Sequence, residues 1–229
     1  MKSALAIFVK TPKFSPVKTR LAATLGTTDA LTFYTLACAA TAAVARGCPS
    51  LAPYWAVAEA EPEAHAAWPD FPRIGQGEGG LGARMGHVYA ELQARHGQVL
   101  LIGADAPQLT TALLECARAT LDDATHPFAL GLAADGGFWL FGGSRPIPQS
   151  VWIDVRYSQP DTAAQLRSAL ASLGSVITLP ELSDVDVEAD LPALAESLDA
   201  LSNPLPAQRE LAAWLHTVLD RQNVAGSPG

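Results

Sequence analysis

The sequence predicts one α/β domain with a mainly parallel β-sheet covered by helices on both faces. Short apolar runs alternate along the chain with helical segments of ten or more residues, which is typical of parallel strands joined by crossover helices. Hydrophobic residues make up 49% of the 229 residues, enough to bury a sizeable core. Because no change in composition divides the chain, we expect a single domain over residues 1–220 and a flexible tail at 221–229.

Each element follows from its composition and its neighbours. Residues 3–9, SALAIFV, form a short apolar run that ends in a polar loop, as a buried parallel strand does. The Ala-rich run 30–46 predicts a helix that begins after Asp29 as its N-cap and ends before Gly47. On the same grounds we expect strands at 54–58, 98–107 and 175–180, and a short strand before the glycine loop in 73–82. We also expect helices at 83–97, 109–122, 161–174 and within 184–198. Thr110 or Thr111 would cap the helix at 109–122.

Residues 128–143 predict a strand, a glycine turn and a second strand. A Gly-Gly turn is too short for a crossover, so the strand at 136–141 is expected to run antiparallel to its neighbours. Residues 143–160 are rich in Pro, Ser and Gln and predict a long surface loop. The expected sheet is therefore mixed but mostly parallel.

The charges are unevenly distributed. All four lysines lie before residue 19 and the first carboxylate is Asp29, so residues 1–28 carry +5 in a protein of net charge −8. The acidic remainder argues against a nucleic-acid surface, but not against a small anionic ligand near the basic segment. Without a stretch of about 18 apolar residues or a signal-peptide pattern, we expect a cytoplasmic protein with no transmembrane segment. Cys38, Cys48 and Cys116 show no metal spacing and fit a reducing compartment.

The basic segment 10–20 follows the first strand, at the edge of the sheet where α/β proteins bind their ligands. Lys18, Thr19 and Arg20 lie at the expected start of a helix, where free N–H groups and the helix dipole favour an anion. The segment is neither a Walker A loop nor a GxGxxG loop. We interpret these three residues and Lys10 as a clamp for phosphate or pyrophosphate, with a solvated basic surface as the alternative.

Four aspartates also follow strands. Asp105, in GADAP, offers a hard carboxylate that suits Mg²⁺ or Mn²⁺ bridging phosphates, or else caps the next turn. Asp135, in the ADGG turn, is a second metal ligand, a base or an Asx-turn residue. Asp184 and Asp186 lie two residues apart, on one side of an extended segment, so that one can face a metal while the other caps a helix.

Other chemistries lack their signatures. There is no GxSxG motif or Cys–His signature for nucleophilic hydrolysis, and the five histidines show no metal spacing. Trp139 and Trp152 flank the predicted site, where they line an acceptor pocket or pack in the core.

Four motifs together resemble a bacterial family of glycosyltransferase-like proteins that was long described only as a domain of unknown function. They are FVKTPKFSPVKTRLAATLG, LLIGADAPQLTTALL, ADGGFWLFG and LSDVDVEADL, and the likeness covers residues 3–195. The resemblance implies a glycosyltransferase-A fold, which is a Rossmann-like three-layer α/β/α sandwich of the nucleotide-diphospho-sugar transferase type.

The resemblance also implies roles for matching residues. Asp105 matches the metal-binding aspartate of the family's IGxDxP motif, and Asp135 and Asp186 match the aspartates of its DGG and DVD motifs, which implies catalytic roles for both and a metal contact for Asp186. Contacts to the donor phosphates and base are implied at Lys18, Arg20, Gln76, Gly79, Gly80 and Gly82. Gly80 and Ala134 depart from the family, which often has acidic residues there.

The sequence therefore predicts a Mg²⁺- or Mn²⁺-dependent transferase that uses a nucleotide-activated donor, a nucleotide sugar, and an unknown small-molecule acceptor. A nucleotidylyltransferase that joins an NTP to a phosphorylated acceptor and releases pyrophosphate is the first alternative. A non-catalytic nucleotide-binding protein is the second, since Gly80 and Ala134 each replace an acidic group. The sequence alone does not decide among the three.

Overall fold

A seven-stranded mixed sheet forms the centre of the computed structural model, which describes residues 2–225 and, for residues 222–225, the backbone alone. The strands are β1 Ser3–Val9, β2 Leu51–Val57, β3 Arg73–Gly75, β4 Val99–Gly103, β5 Phe128–Ala133, β6 Phe138–Gly143 and β7 Val176–Leu182. Their order is β3-β2-β1-β4-β6-β5-β7. Strand β6 is antiparallel to β4 and β5, as its short turn predicts, and the other pairs are parallel.

Helices cover both faces of this sheet. They are α1 Thr19–Leu25, α2 Thr27–Arg46, α3 Pro62–Ala66, α4 Leu81–His96, α5 Thr111–Thr120, α6 Gln149–Ile153, α7 Thr162–Leu170, α8 Leu191–Asp199 and α9 Pro206–Ala225, with a short 3₁₀ helix at Glu188–Asp190. Alternate residues of β1 explain the layering. Leu5 and Ile7 pack with α2 and α5, whereas Ala4 and Ala6 pack with α4, α6 and α7. The predicted three-layer α/β/α architecture is confirmed.

A third apolar cluster lies outside the sheet and joins α1, α2, α8 and α9. Leu21, Phe33 and Leu191 are fully buried in it, and Val185 from the segment after β7 is 1% exposed. This cluster ties α1 and the segment after β7 to the rest of the fold. Both flank the carboxyl ends of the parallel strands.

Helix α2 is the one helix among the described residues that is long and apolar enough to cross a membrane. Its most apolar window is 56% buried inside the protein, as in an ordinary core helix. The free thiols of Cys38 and Cys48 are buried, and that of Cys116 is exposed.

Two helix starts test the predicted caps. The Thr110 hydroxyl accepts a hydrogen bond from the backbone N–H of Leu113 at 3.1 Å, which confirms the cap of α5. The cap predicted for α2 is wrong, because the helix begins earlier, after Gly26. Asp29 lies in the first turn of α2, where the helix dipole stabilises a negative charge, and it forms an ion pair with Arg221 at 3.0 Å.

The surface loop predicted at 143–160 is only partly correct. It contains α6, whose Trp152 is fully buried between α4 and the sheet. A five-residue helix is too short to show a periodic pattern, so the sequence does not reveal it. At the other end of the chain, α9 continues to Ala225, into the predicted tail, and residues 226–229 lie outside the described residues.

Glycines in α4 allow α6 to pack against it. A Cβ atom at Gly82 would lie 2.2 Å from the Trp152 carbonyl oxygen, and one at Gly86 would lie 2.4 Å from the Gln149 Oε1 atom. Gly82 therefore has a packing reason to be glycine that does not involve a ligand.

We predict that Gly82→Ala lowers the free energy of unfolding by about 1–3 kcal/mol, because the new methyl group overlaps backbone atoms that cannot move independently. Urea denaturation monitored by circular dichroism measures the change. Gly80→Ala is the matched control, since nothing lies within 4 Å of its Cβ position and its φ of −72° suits alanine. Equal losses in the two variants would contradict this explanation.

Candidate functional site

A cavity of about 510 Å³ opens at the carboxyl ends of the parallel strands. Because six of the strands point to this edge, loops that are far apart in sequence meet there. Most of the predicted site residues line it, together with Asp184; they are Lys10, Lys18, Thr19, Arg20, Gln76, Asp105, Asp135 and Asp186. The predicted glycines Gly79, Gly80 and Gly82 are not among its lining residues.

The loop after β1 is anchored at its first residues. The Thr11 backbone N–H donates to both carboxylate oxygens of buried Glu59, at 3.0 and 3.1 Å, and the Thr11 hydroxyl accepts from the Trp68 indole at 2.9 Å. The Tyr34 hydroxyl donates to the Lys10 carbonyl and accepts from its N–H, both at 2.9 Å. Burial raises the pKa of Tyr34, so the hydroxyl stays protonated and can do both. The exposed Lys10 side chain thus projects from a fixed backbone.

Lys18 lies at the start of α1 with its side chain turned into the protein. Its backbone has φ 46° and ψ 45°, a left-handed conformation that is uncommon outside glycine. Its Nζ atom lies 2.5 Å from Asp105 Oδ1 and 2.5 Å from the Val185 carbonyl oxygen. The Lys18 side chain is only 7% exposed, whereas that of Asp105 is 50% exposed.

The segment 183–187, which follows β7, is fixed by bonds at both ends. The Gln108 amide donates to the Ser183 carbonyl at 2.6 Å. The Asp190 carboxylate accepts from the backbone N–H groups of Asp186 and Val187, each at 2.8 Å. The side chain of Asp186 is left free for Arg20, whose Nη1 atom lies 3.0 Å from it. The segment therefore presents Asp184 and Asp186 to the cavity.

Asp135 is positioned by a tight turn that packs against the start of α7. Its Oδ1 atom accepts from the Gly137 N–H at 2.8 Å, which is the Asx-turn contact that the sequence allows for. Gly136 has φ 87°, and a Cβ atom there would lie 1.9 Å from the Pro160 carbonyl oxygen. The Ala163 N–H donates to the Gly136 carbonyl at 3.0 Å. These contacts fix where the exposed Asp135 side chain stands in the cavity.

The carboxylates of the cavity interact electrostatically. Burial first, and then the negative charges of Asp135, Asp186 and Asp105, raise the pKa of Asp184 above its ordinary value. This part of the cavity therefore favours a bound cation.

The described residues nevertheless contain no group of three or more His, Cys, Asp or Glu side chains placed to hold a metal ion. Asp105 and Asp186, the predicted metal ligands, are paired with Lys18 and Arg20 instead. Their hard oxygen atoms fit Mg²⁺ or Mn²⁺ only in the way these ions often bind, with one or two carboxylates and the oxygens of a bound phosphate.

Gln76 is nearly buried at the edge of the cavity. Its side-chain amide donates to the carbonyl oxygens of Val9 at 3.2 Å and Ala56 at 2.8 Å. These bonds hold the ends of β1 and β2 and give the residue a structural role.

One side of the cavity consists of residues that the sequence did not predict to be there. Tyr157, Ser158, Gln159 and Thr162 line it, although the first three were expected in a plain surface loop. Ser158 has φ 58°, a strained backbone of the kind often found near functional sites. No composition signal marks these residues, because the packing of 157–162 against the Asp135 turn brings them there.

The two tryptophans that flank the predicted site have different environments. Trp139 lines the cavity and donates its indole N–H to the Pro180 carbonyl at 3.0 Å. Trp152 is fully buried and belongs to the core. Only the first can contact a ligand.

Comparison with known proteins gives a family match. Residues 39–159 match the model of the family DUF2064, described as "Uncharacterized protein conserved in bacteria". No curated protein matches the chain. The matched range includes Gln76, Asp105 and Asp135.

Solved structures share the fold. A candidate nucleotide-diphospho-sugar transferase from Desulfovibrio desulfuricans G20 is 25% identical, with a TM-score of 0.82, over 95% of this chain and 99% of that chain. A CMP:2-keto-3-deoxy-manno-octonic acid synthetase in complex with CTP is 16% identical (TM-score 0.54; 88% and 100% covered). Rv0371C from Mycobacterium tuberculosis H37Rv, in complex with manganese, is 18% identical (TM-score 0.51; 87% and 100% covered). The last two show similarity of fold alone.

We predict that Asp184→Asn makes the ligand-free protein more stable than the wild type at about pH 7. A carboxyl whose pKa is raised on folding holds its proton more tightly in the folded state. Stability therefore falls as the pH rises from the unfolded pKa, about 3.9 for aspartate, through the folded value.

The stability gain of Asp184→Asn should vanish below the pKa of the unfolded state, where Asp184 is protonated in both the folded and the unfolded protein. Urea denaturation at about pH 7 and at about pH 3 measures it. Asp70→Asn, at an exposed position that does not line the cavity, is the control. An Asp184→Asn variant that is less stable at neutral pH would overturn the electrostatic reading.

Proposed function

Since the chain belongs to the bacterial DUF2064 family, we propose that it is a divalent-metal-dependent transferase that uses a nucleotide-activated donor, a nucleotide sugar. One observation carries this proposal. At the carboxyl ends of the parallel strands, basic side chains from one loop meet aspartates from three other loops in a single cavity. The fold similarity to a candidate nucleotide-diphospho-sugar transferase supports it.

The charges suggest how a donor binds. Lys10, Lys18 and Arg20 make one wall of the cavity positive, so the diphosphate of the donor is attracted to that wall. Asp105 and Asp186 would hold Mg²⁺ or Mn²⁺ against the phosphate oxygens. The metal would supply positive charge that stabilises the departing nucleoside diphosphate. The manganese bound to the Mycobacterium tuberculosis protein of similar fold is compatible with this choice of ion.

Asp135 is our choice for the group that takes the proton of the acceptor. Its Oδ1 atom is bound to a backbone N–H, and no ion pair is found for it among the described residues. A base must be held at a fixed position within reach of the acceptor hydroxyl, and the turn against α7 provides that constraint. Asp186, which is paired with Arg20, would then complete the metal site or share the catalytic role.

A nucleotidylyltransferase is the second candidate function. The same basic wall and carboxylates would serve attack on the α-phosphate of an NTP, with pyrophosphate as the leaving group. Its support is the fold shared with the CTP-bound synthetase. A non-catalytic nucleotide-binding protein is the third reading, since Gly80 and Ala134 lack acidic groups. We place the reaction in the cytoplasm, a proposal that the three free cysteines support.

We predict that one class of nucleotide sugar raises the melting temperature in the presence of Mn²⁺ and much less without it, because a ligand that binds only the folded state stabilises it. The panel contains UDP-, GDP-, CDP- and ADP-sugars and the NTPs, each with Mn²⁺ or with a chelator. Release of pyrophosphate from an NTP and a phosphorylated acceptor would replace the first candidate by the second. Stabilisation by nucleotides without any turnover would favour the non-catalytic reading, and no metal-dependent shift would count against all three.

We predict that Asp105→Asn abolishes the metal-dependent part of that shift. Loss of the carboxylate should also cost about 1–3 kcal/mol of stability, because the buried Lys18 ammonium loses its anionic partner. Titration calorimetry and urea denaturation measure the two effects.

Asp70→Asn is the matched control. Asp70 also forms an ion pair, with Arg46 at 3.6 Å, but in an exposed position outside the cavity. Its loss should change stability by no more than about 0.5 kcal/mol and leave ligand binding intact. A full metal-dependent shift in Asp105→Asn would remove Asp105 from the metal site.

A further inference from the structure

The ammonium group of Lys18 lies close to two oxygen acceptors and one aromatic ring. It has three N–H bonds. Two acceptors, Asp105 Oδ1 and the Val185 carbonyl, lie 2.5 Å from Nζ, and the ring centre of Phe33 lies 5.7 Å from it. Two of the three N–H bonds are thus engaged by protein oxygens, which leaves at most one for a phosphate oxygen.

The backbone at Lys18 is also fixed, and the side chain is nearly buried where it borders the cavity. A non-glycine residue in the left-handed conformation is strained, and such strain persists only where the surroundings fix it. Here the Lys18 carbonyl accepts the first hydrogen bond of α1, from the Ala22 N–H at 2.8 Å, while the side chain is 7% exposed. Moving the ammonium further into the cavity would break its contacts with Asp105 and Val185.

Through its two oxygen partners, Lys18 connects three segments that carry the acidic residues and the basic loop. It is itself at the end of the loop after β1. Asp105 belongs to the loop after β4, and Val185 lies between Asp184 and Asp186 after β7. One buried cation therefore sets the distance between the Asp105 carboxylate and the segment that carries the other two aspartates.

Two other basic residues of the cavity differ from Lys18 in exposure. The side chain of Arg20 is 71% exposed and contacts Asp186 through one nitrogen, so other N–H donors remain for a phosphate. Lys10 is exposed at the cavity. Both can reach an anion without breaking a buried contact.

We propose that Lys18 is a positioning residue, which holds Asp105 and the segment 183–187 in the geometry that a metal–phosphate ligand needs, and that Lys10 and Arg20 contact the phosphates themselves. This inference rests on the proposed function of the cavity, and it departs from the direct phosphate contact that the KTRL resemblance implies for Lys18. Lys18 then controls how much a divalent cation strengthens phosphate binding, and has little effect on phosphate binding without the cation.

The test compares Lys18→Met with Lys13→Met. Methionine keeps the length of the buried stem next to Phe33 and removes the charge, and Lys13 is an exposed lysine of the same loop that does not line the cavity. The probe is inorganic pyrophosphate, whose dissociation constant is measured by calorimetry in Mg²⁺ and in chelator. The ratio of the two constants is the readout, because a purely structural effect of Lys18 would lower the melting temperature without changing this ratio.

We expect wild type and Lys13→Met to bind pyrophosphate more tightly in Mg²⁺ than in chelator. Lys18→Met should bind as they do in chelator and lose about tenfold or more of the Mg²⁺ enhancement, as is usual when a residue that orients a metal ligand is removed. Equal weakening in Mg²⁺ and in chelator leaves the ratio unchanged and would overturn the inference. Pyrophosphate binding that is unchanged in both conditions would also overturn it.

A second variant covers the case in which Lys18→Met does not fold. In Lys18→Met/Asp105→Asn both charges of the pair are removed, which proteins often tolerate better than the loss of one partner. If Lys18 acts through Asp105, the double variant should bind pyrophosphate as Asp105→Asn does. Further weakening in the double variant would overturn the inference. If instead the wild type binds neither pyrophosphate nor any nucleotide, the proposed function itself has failed.

Discussion

The ion pair between Lys18 and Asp105 holds together the part of the molecule on which the proposed chemistry depends. A buried ammonium is costly to remove from water, so it must be matched by strong acceptors. Here the acceptors are a carboxylate after β4 and a carbonyl after β7, while the lysine itself follows β1. Because the lysine must be paired, these three loops are fixed relative to one another. The apolar cluster that contains Phe33 and Val185 packs next to them and stabilises the same arrangement.

The direction of the strands explains why these loops meet at all. Six parallel strands place their carboxyl ends at one edge, and the antiparallel β6 allows the chain to return through a tight turn that carries Asp135. At two positions near the cavity, glycines allow the backbones of neighbouring segments to lie in close contact. Gly136 lies against Pro160, and Gly82 lies against Trp152, so neither position has space for a side chain. These close contacts fix the position of segments next to the cavity, as the proposed transfer reaction requires for the alignment of donor and acceptor.

The distribution of charge gives this edge its chemical character. Positive charge is concentrated near the N-terminus of a chain that is acidic elsewhere, and the fold places that segment opposite a group of aspartates. The two sets neutralise each other only in part, because Asp184 still experiences the repulsion of its neighbours. A divalent cation with a diphosphate would interact favourably with both sets, and this complementarity is the physical basis of the proposed function.

The sequence by itself determined the layers of the fold, the antiparallel strand and the loops that bring Lys18, Asp105, Asp135 and Asp186 to the cavity. These features depend on local patterns: apolar runs, glycine turns and polar residues just after strands. Only the tertiary structure decided what the side chains contact. No sequence pattern shows that Lys18 is buried on Asp105 while Arg20 stays exposed, that Gly82 serves packing, or that Tyr157 and Ser158 line the cavity. Such contacts join residues far apart in the chain, and their energies depend on burial and distance, which exist only once the chain has folded.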